Sequence, residues 1–257
     1  MPGIEAVVMF LACAAVASLL QNLTAFAFGL VLLGGVELFG IVPLADAANA
    51  SMVLALVNCL AFFWGDKQPL PWHQVRHVLW AGSIGVAAGL ALQVWLSANA
   101  AQWFRLLLGV TVILSAANLL LARTVRPEPS PPRTFAFFGA LSGLLGGLFA
   151  TSGPPIVYHM LRQPFDPLQI RRCLALIFAV NNGFRLLLVA GTGRFSQLSL
   201  LLCCVALPVA LLVTVLCRRY PISIPRSRLA WMTSALLCVA GASLVLSAAR
   251  DALRPLI

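Results

Sequence analysis

Residues 143–160 read GLLGGLFATSGPPIVYHM, an apolar run that is interrupted in its middle by small polar residues and two prolines. Glycine and proline are poor helix-interior residues, and proline favours the first turn of a new helix. The stretch therefore predicts two helices that meet at a break inside one apolar segment. In hydrocarbon, such a break is tolerated only where protein or a water-lined cavity satisfies the freed backbone groups.

The rest of the chain has the composition of a membrane protein. Of its 257 residues, 61% are hydrophobic and only 9% are charged, with a mean hydropathy of +0.98. Soluble domains are usually about 45–50% apolar and about 25% charged. The net charge of +10 comes mostly from short loops between apolar runs, which indicates topology signals rather than a nucleic-acid site. We therefore predict an all-α polytopic membrane protein, embedded in the lipid bilayer, and not a soluble enzyme.

Charged residues divide the chain into eight candidate transmembrane segments, four on each side of the polar stretch RTVRPEPSPPR. This stretch sets the predicted organisation of one integral membrane domain: a first repeat at 1–122, a Pro-rich linker at 123–133 and a second repeat at 134–257. The eight segments are 6–36, 47–65, 78–104, 106–122, 134–158, 173–193, 195–217 and 229–249.

The two halves show weak internal similarity. An offset of 123 residues superimposes Phe26-Ala27 on Phe149-Ala150, Asn58 on Asn181, and Arg105-Leu106 on Arg228-Leu229. Internal repeats with interrupted segments at matching places are typical of secondary transporters, whose substrate sites lie near the bilayer midplane. We therefore expect duplicated halves, although compositional coincidence is the alternative.

The basic residues favour a particular topology. If every segment crosses once, each face carries eight basic loop residues, which conflicts with the positive-inside rule. If the first segment of each half returns to the side from which it enters, twelve basic residues share one face and four the other. We therefore expect 6–36 and 134–161 to be broken, as re-entrant hairpins or paired short crossings, and the two halves to be inverted.

Three stretches carry a family resemblance: GLLGGLFATSGPPIVYHM, RRCLALIFAVNNGFR at 171–185 and, in degenerate form, NLTAFAFGLVLLGG at 22–35. Together they resemble the TauE/SafE family of sulfite and sulfonate exporters. The resemblance implies a bacterial inner-membrane permease for small anions, often sulfur-containing ones such as sulfite, sulfonate or thiosulfate. The first half departs from the family pattern, with AFAFG at 25–29 where more glycine is expected and Gly34-Gly35 where a proline is frequent.

Several residues are candidates for binding such an anion. A buried Arg185 would cost at least about 2.5–3.5 kcal/mol, and its guanidinium matches the oxygens of a sulfite or sulfonate group. Neutral amides precede it, and Ser152 lies beside the break, where a helix N-terminus favours anions. The predicted substrate-binding residues are Asn22, Thr24, Asn58, Thr151, Ser152, Gly153, Asn181, Asn182 and Arg185.

Other interpretations of these residues stay open. Arg185 could extend to the interface or form an ion pair with Glu37 or Asp46, while His159, Glu37 and Asp46 could couple transport to protons or serve as interfacial groups. Asparagines also join helices in lipid. The alternatives to transport are a non-transporting membrane partner or scaffold, and an intramembrane hydrolase that uses Ser152 and His159, although the chain has no GxSG motif at this place.

We predict no catalytic residue, no cofactor and no metal site. The seven cysteines form no CxxC pair and are expected to be reduced packing residues. The expected partners are a small anionic substrate and the lipid bilayer, not nucleic acid, and a homodimer is left open.

Overall fold

The computed structural model describes residues 3–24, 26–63, 69–99, 101–121 and 125–220, with six isolated positions beyond them (234, 235, 238, 241, 242 and 245). Within these ranges the chain forms nine α-helices and no β-strand. They are α1 (Ile4–Thr24), α2 (Phe28–Phe39), α3 (Leu44–Phe63), α4 (Trp72–Asn99), α5 (Ala101–Leu121), α6 (Pro132–Phe149), α7 (Gly153–Leu161), α8 (Pro167–Gly191) and α9 (Gln197–Arg219).

Five of these helices contain stretches long and apolar enough to cross a membrane. The prediction of an all-helical, multi-pass membrane protein is thereby confirmed. The predicted segment 229–249 lies almost entirely outside the described residues. The five stretches are Ile4–Thr24, Leu44–Ala61, Trp72–Leu96, Pro167–Gly191 and Gln197–Cys217.

Two helices begin several residues before the segments that charged residues delimit. α4 begins at Trp72 instead of 78, and α8 begins at Pro167 instead of 173. The start of α8 is set by the proline in its first turn, whose fixed backbone angle suits that position. A charged residue near a helix end lies within the helix and does not terminate it. The starts at 78 and 173, which were predicted from the positions of charged residues, were therefore too late.

Two pairs of helices fold back on themselves. We call α1 and α2 the first hairpin, and α6 and α7 the second hairpin. In the first, Cys13 packs so closely on Gly35 that a Cβ on the glycine would lie 2.8 Å from the sulfur. In the second, the ring of His159 stacks on that of Phe138, with centroids 4.6 Å apart. Both interrupted segments therefore reverse direction at their breaks.

The second hairpin is tied to the linker at its open end. The backbone N–H of Arg126 donates to the carbonyl oxygen of Arg162 (2.8 Å), and the N–H of Ser130 donates to Gln163 Oε1 (2.9 Å). The chain therefore returns, after α7, to the end of the bundle at which α6 begins.

The central helices α3 and α8 pack against each other in opposite directions. Gln169 near the start of α8 donates to the carbonyl oxygen of Pro69, which follows α3 (3.2 Å). At the other end, Asn49 near the start of α3 donates to the carbonyl oxygen of Arg194, which follows α8 (3.2 Å). Pro69, which shortly precedes α4, therefore lies at the same end as the start of α8.

The most extensive helix contact joins α4 to α6 through glycines. A Cβ on Gly143 would lie 2.0 Å from the carbonyl oxygen of Gly82, and one on Gly89 would lie 2.1 Å from that of Leu144. Only glycine allows backbones to approach this closely, as at other small-residue interfaces in membranes. We call this contact the glycine seam. It comprises Gly82, Gly85, Gly89, Gly139, Gly143 and Gly147.

Candidate functional site

The tips of the two hairpins meet in the protein interior. The ring of Phe26 lies against Gly153, where an added Cβ would be 3.0 Å from the ring. A Cβ on Gly29 would lie 2.9 Å from the carbonyl oxygen of Ala150 and 3.1 Å from Thr151 Cβ. The two helix breaks, which are far apart in sequence, are thus in direct contact.

A small cavity lies between these tips. Its polar side chains are all neutral, and three phenylalanines also line it. None of the described residues that line it is acidic or basic. The lining residues are Gln21, Phe26, Phe28, Gly29, Ala55, Ala150, Thr151, Ser152, Gly153, Phe178 and Asn182.

The N-terminal turns of α2 and α7 both face the cavity. Phe28 and Gly29 begin α2, and Gly153 begins α7. Neither N-cap residue, Ala27 or Ser152, caps its helix through a side-chain hydrogen bond. The first N–H groups of a helix have no intrahelical acceptor and carry the positive end of the helix dipole. Two helices therefore bring N–H donors and positive potential to one small space.

Ser152 is the polar residue at the break between α6 and α7. Ala150 ends α6 in the left-handed conformation (φ 54°, ψ 28°), and Ser152 follows as the N-cap of α7. Its carbonyl oxygen accepts a hydrogen bond from Ser142 Oγ. Its own hydroxyl is buried and has no hydrogen-bond partner in the described part of the chain. A buried polar atom left unpaired is destabilising, so this hydroxyl marks a place that suits a polar ligand.

Arg185 binds the end of α6 and does not line the cavity. Its side chain is only 1% exposed. Nε donates to the carbonyl oxygen of Gly147 (3.1 Å), Nη2 donates to Gln93 Oε1 (2.9 Å), and Nη1 contacts Met52 Sδ (3.2 Å). Asn182, one turn earlier, does line the cavity. A direct role of Arg185 in binding stays a prediction.

Both structural alternatives for Arg185 are wrong. The guanidinium does not extend to the interface, because it is buried among α3, α4 and α6. It does not pair with Glu37 or Asp46, since within the described ranges its hydrogen-bond acceptors are all neutral. A helix carbonyl oxygen, an amide oxygen and a thioether sulfur surround the guanidinium instead.

The equivalent asparagines of the two halves have different surroundings. Asn181 is buried against Gly82, and neither amide atom has a partner among the described residues. Asn58 Nδ2 donates to Gln21 Oε1 (3.0 Å), and its Oδ1 accepts from Thr214 Oγ1 (2.9 Å). Neither asparagine lines the cavity, so direct binding by either one stays a prediction.

Asn22 and Thr24 lie beside the cavity, outside its lining. Thr24 Oγ1 donates to the carbonyl oxygen of Leu20 (2.6 Å) and accepts from two backbone N–H groups after α1, so it shapes the break. Asn22 Nδ2 donates to Thr214 Oγ1 of α9 (2.9 Å). Substrate contact by these two residues is likewise untested.

The residues predicted for proton coupling do not line the cavity. His159 packs against two phenylalanine rings of α6, with centroid distances of 4.6 Å. Asp46 Oδ1 accepts a hydrogen bond from Ser199 Oγ (2.8 Å), which links the start of α3 to the start of α9. Glu37 is half-buried in the last turn of α2. Their participation in coupling stays a prediction.

The arrangement needed for a Ser152–His159 hydrolase is absent from the described residues. The serine hydroxyl has no partner, whereas His159 Nε2 lies 3.4 Å from Gln163 Nε2. A nucleophile requires a base within hydrogen-bond reach. The same part of the chain contains no cluster of three or more His, Cys, Asp or Glu residues that could hold a metal, and all seven cysteines are free.

Sequence reasoning does not assign Gln21, Gln93 or the cavity-lining phenylalanines to the binding site. Gln21 interrupts an apolar segment beside Asn22, and that polarity is the signal that could have identified it. Phe26 and Phe28 carry no such signal, because an apolar ring in a membrane protein is expected to face lipid or core.

Two broken hairpins that meet at a polar cavity inside a multi-pass helical bundle are typical of secondary transporters. The chain belongs to the sulfite exporter TauE/SafE family, whose model matches residues 10–244. It is similar to the "Probable sulfite/organosulfonate exporter TauE" of Cupriavidus necator, with 31% identity over 232 residues that cover 89% of each chain. No solved structure matches the chain. Because the members of this family are exporters, the prediction of a transporter and not an enzyme is confirmed.

Proposed function

We propose that this protein exports a small sulfur oxyanion, such as sulfite, thiosulfate or a sulfonate, through the cavity between the hairpin tips. The observation that carries the proposal is the unpartnered hydroxyl of Ser152, a cavity-lining residue that is the N-cap of α7 and packs against Gly146 of α6. Helix N-termini bind anions through their free N–H groups. The name of the Cupriavidus relative supports the same substrate class.

The proposed contacts come mainly from the second half. Thr151, Ser152 and Gly153 surround the anion from the break, and Asn182 donates from α8. Pro154 and Pro155 have no N–H, so Gly153 supplies the free backbone donor of the first turn of α7. Arg185, Asn22, Thr24, Asn58 and Asn181 act from behind the lining, where the buried charge of Arg185 adds positive potential.

We propose alternating access between two inverted halves, 1–122 and 134–257, with eight segments in total. At the offset of 123 residues, α1 corresponds to α6 and α9 to α4. The packing supports this scheme, since α1 packs on α9 as α6 packs on α4. In each half, the hairpin is held by a helix of the other half. Separation of the tips towards one end at a time would then open the site to one side.

The proposed location is the inner membrane of a bacterium. The linker and the segment after α7 lie at one end of the bundle and are rich in arginine, which favours a cytoplasmic position. An anion leaving a cell that is negative inside gains about 2.3 kcal/mol per charge per 100 mV. Export therefore needs no coupling ion.

The test combines binding and flux with a matched serine control. The thermal stability of purified wild-type protein is measured with sulfite, thiosulfate, sulfate, sulfoacetate, taurine and acetate in turn. Sulfite should raise it and acetate should not, because a ligand of the folded state raises apparent stability. Ser152→Ala should weaken sulfite binding about tenfold. Ser83 donates to the carbonyl oxygen of Leu79 outside the cavity, so Ser83→Ala should behave like wild type.

The flux of sulfite from proteoliposomes should be similar for wild type and Ser83→Ala, and lower for Ser152→Ala, as expected for binding. If no anion stabilises the protein and sulfite flux is absent, the proposal is overturned in favour of a non-transporting membrane partner. If Ser83→Ala is as impaired as Ser152→Ala, the assignment of the site is wrong.

A further inference from the structure

Gln21 is the polar side chain that the first hairpin contributes to the cavity. It is 93% buried, since 7% of its surface is exposed, and it lines the cavity with Thr151, Ser152 and Asn182 of the second half. Its Oε1 accepts a hydrogen bond from Asn58 Nδ2 (3.0 Å). The orientation of this amide decides whether the cavity meets an N–H donor or a carbonyl oxygen.

A directed chain of hydrogen bonds fixes that orientation. It begins at the carbonyl oxygen of Ser18, which can only accept and which binds Asn22 Nδ2 (2.8 Å). Asn22 Nδ2 also donates to Thr214 Oγ1 (2.9 Å), so the hydroxyl proton of Thr214 is donated onward to Asn58 Oδ1 (2.9 Å). Asn58 Nδ2 is then directed at Gln21 Oε1. Reversing one amide would place two donors or two acceptors against each other.

The amide nitrogen of Gln21 is the end of this chain. Its neighbour is the sulfur of Cys59, a weak acceptor at 3.5 Å. An oxyanion is a much stronger acceptor, because hydrogen bonds to ionised groups are roughly twice as strong as neutral ones.

We infer that Gln21 binds the transported oxyanion as an N–H donor, and that Asn22, Thr214 and Asn58 are positioning residues that keep its carbonyl oxygen away from the substrate. This inference rests on the proposed function and adds a basis for specificity. A cavity wall that presents N–H donors excludes solutes that are themselves hydrogen-bond donors. When such a solute binds, its own donors and those of the wall both lack acceptors.

The first experiment changes Gln21 and measures sulfite flux in proteoliposomes. Gln21→Leu should raise the sulfite concentration for half-maximal flux about tenfold and leave maximal flux unchanged. Gln21→Glu should raise it about a hundredfold or more, because the carboxylate repels the anion. Gln197→Glu makes the same chemical change at an exposed position at the start of α9 and should have no effect.

The second experiment tests the positioning chain at Thr214, which does not line the cavity. Thr214→Val removes the hydroxyl that orients Asn58, so the half-saturation concentration should rise several-fold, and Thr214→Ser should restore it. A purely structural role for Thr214 would lower thermal stability and leave half-saturation unchanged. If the Gln21 variants do not fold, this pair still decides the inference.

The outcomes separate the inference from the proposed function. If Ser152→Ala raises the half-saturation concentration while Gln21→Leu and Thr214→Val do not, the inference is overturned and the proposed function stands. If wild-type protein neither binds nor transports sulfite, the inference and the proposed function are both overturned.

Discussion

Arg185 Nε donates to the carbonyl oxygen of Gly147 across 3.1 Å, three residues before the C-cap of α6. The last four carbonyl groups of a helix lack intrahelical donors, and Gly147 provides one of them. A positive group at this place also interacts favourably with the negative end of the helix dipole. The buried charge therefore stabilises the end of α6 at the point where the chain turns into the cavity.

Replacing Arg185 should destabilise the protein. Arg185→Ala leaves the Gly147 carbonyl and Gln93 Oε1 without this donor, and we expect a loss of about 3 kcal/mol in the free energy of unfolding. Arg185→Lys should lose less free energy of unfolding than Arg185→Ala, but more than wild type. The lysine ammonium group keeps the charge and lacks the planar guanidinium, whose several N–H groups reach several acceptors. Thermal unfolding in detergent measures both. Arg194→Ala, at an exposed site, should stay within about 0.5 kcal/mol. Wild-type stability of Arg185→Ala would contradict the capping role.

The glycine seam should not tolerate a single methyl group. Gly143→Ala would place a Cβ 2.0 Å from the Gly82 carbonyl oxygen, forcing α4 and α6 apart, and we expect a loss of about 3 kcal/mol or more. Gly183→Ala is the matched control, because nothing lies within 4 Å of its added Cβ. Alanine there should keep or raise stability, by up to about 1 kcal/mol. Yield and melting temperature of the purified variants measure the difference, and equal behaviour would refute the close packing.

The hairpin topology predicts a pattern of surface labelling. Cysteines introduced by Glu128→Cys and Asp166→Cys should react with an impermeant maleimide from one side of the membrane, because the linker and the segment after α7 are hydrogen-bonded together. Thr192→Cys, in the turn after α8, should react from the other side. Labelling of positions 128 and 166 from opposite sides would mean that α6 and α7 together cross the membrane.

His159 should be dispensable for export. His159→Phe keeps an aromatic ring against Phe135 and Phe138, so we expect a folded protein within about 1 kcal/mol of wild type. Sulfite flux should keep the pH dependence of the wild type, because the imidazole does not line the cavity. Loss of flux in a normally folded variant would instead assign His159 to proton coupling.

The break between α6 and α7 was predictable because its causes are local. Gly153, Pro154 and Pro155 act within one turn of the chain, and the same rules identify Ser152 as the N-cap of the new helix. Membrane-spanning helices are equally local, because they need only a sufficient apolar run.

The surroundings of the site could not be predicted, because they depend on pairings between distant helices. Asn58 and Asn181 are equivalent in sequence, yet only Asn58 has hydrogen-bond partners in the described structure. At the offset of 123 residues its partners Gln21 and Thr214 are replaced by Leu144 and Ala91, which offer no side-chain polar atom. Which face Gln21 turns to the cavity likewise depends on how the first hairpin meets the second.

The glycine seam also has a mechanical consequence. Backbone atoms of α4 and α6 interlock along several turns, so sliding one helix by a residue would drive a side chain into the neighbouring backbone. The two helices therefore move together as one rigid body. If the cavity opens to its two sides in turn, the helices that move are α7 and α2. The α4–α6 pair keeps its internal packing during that movement.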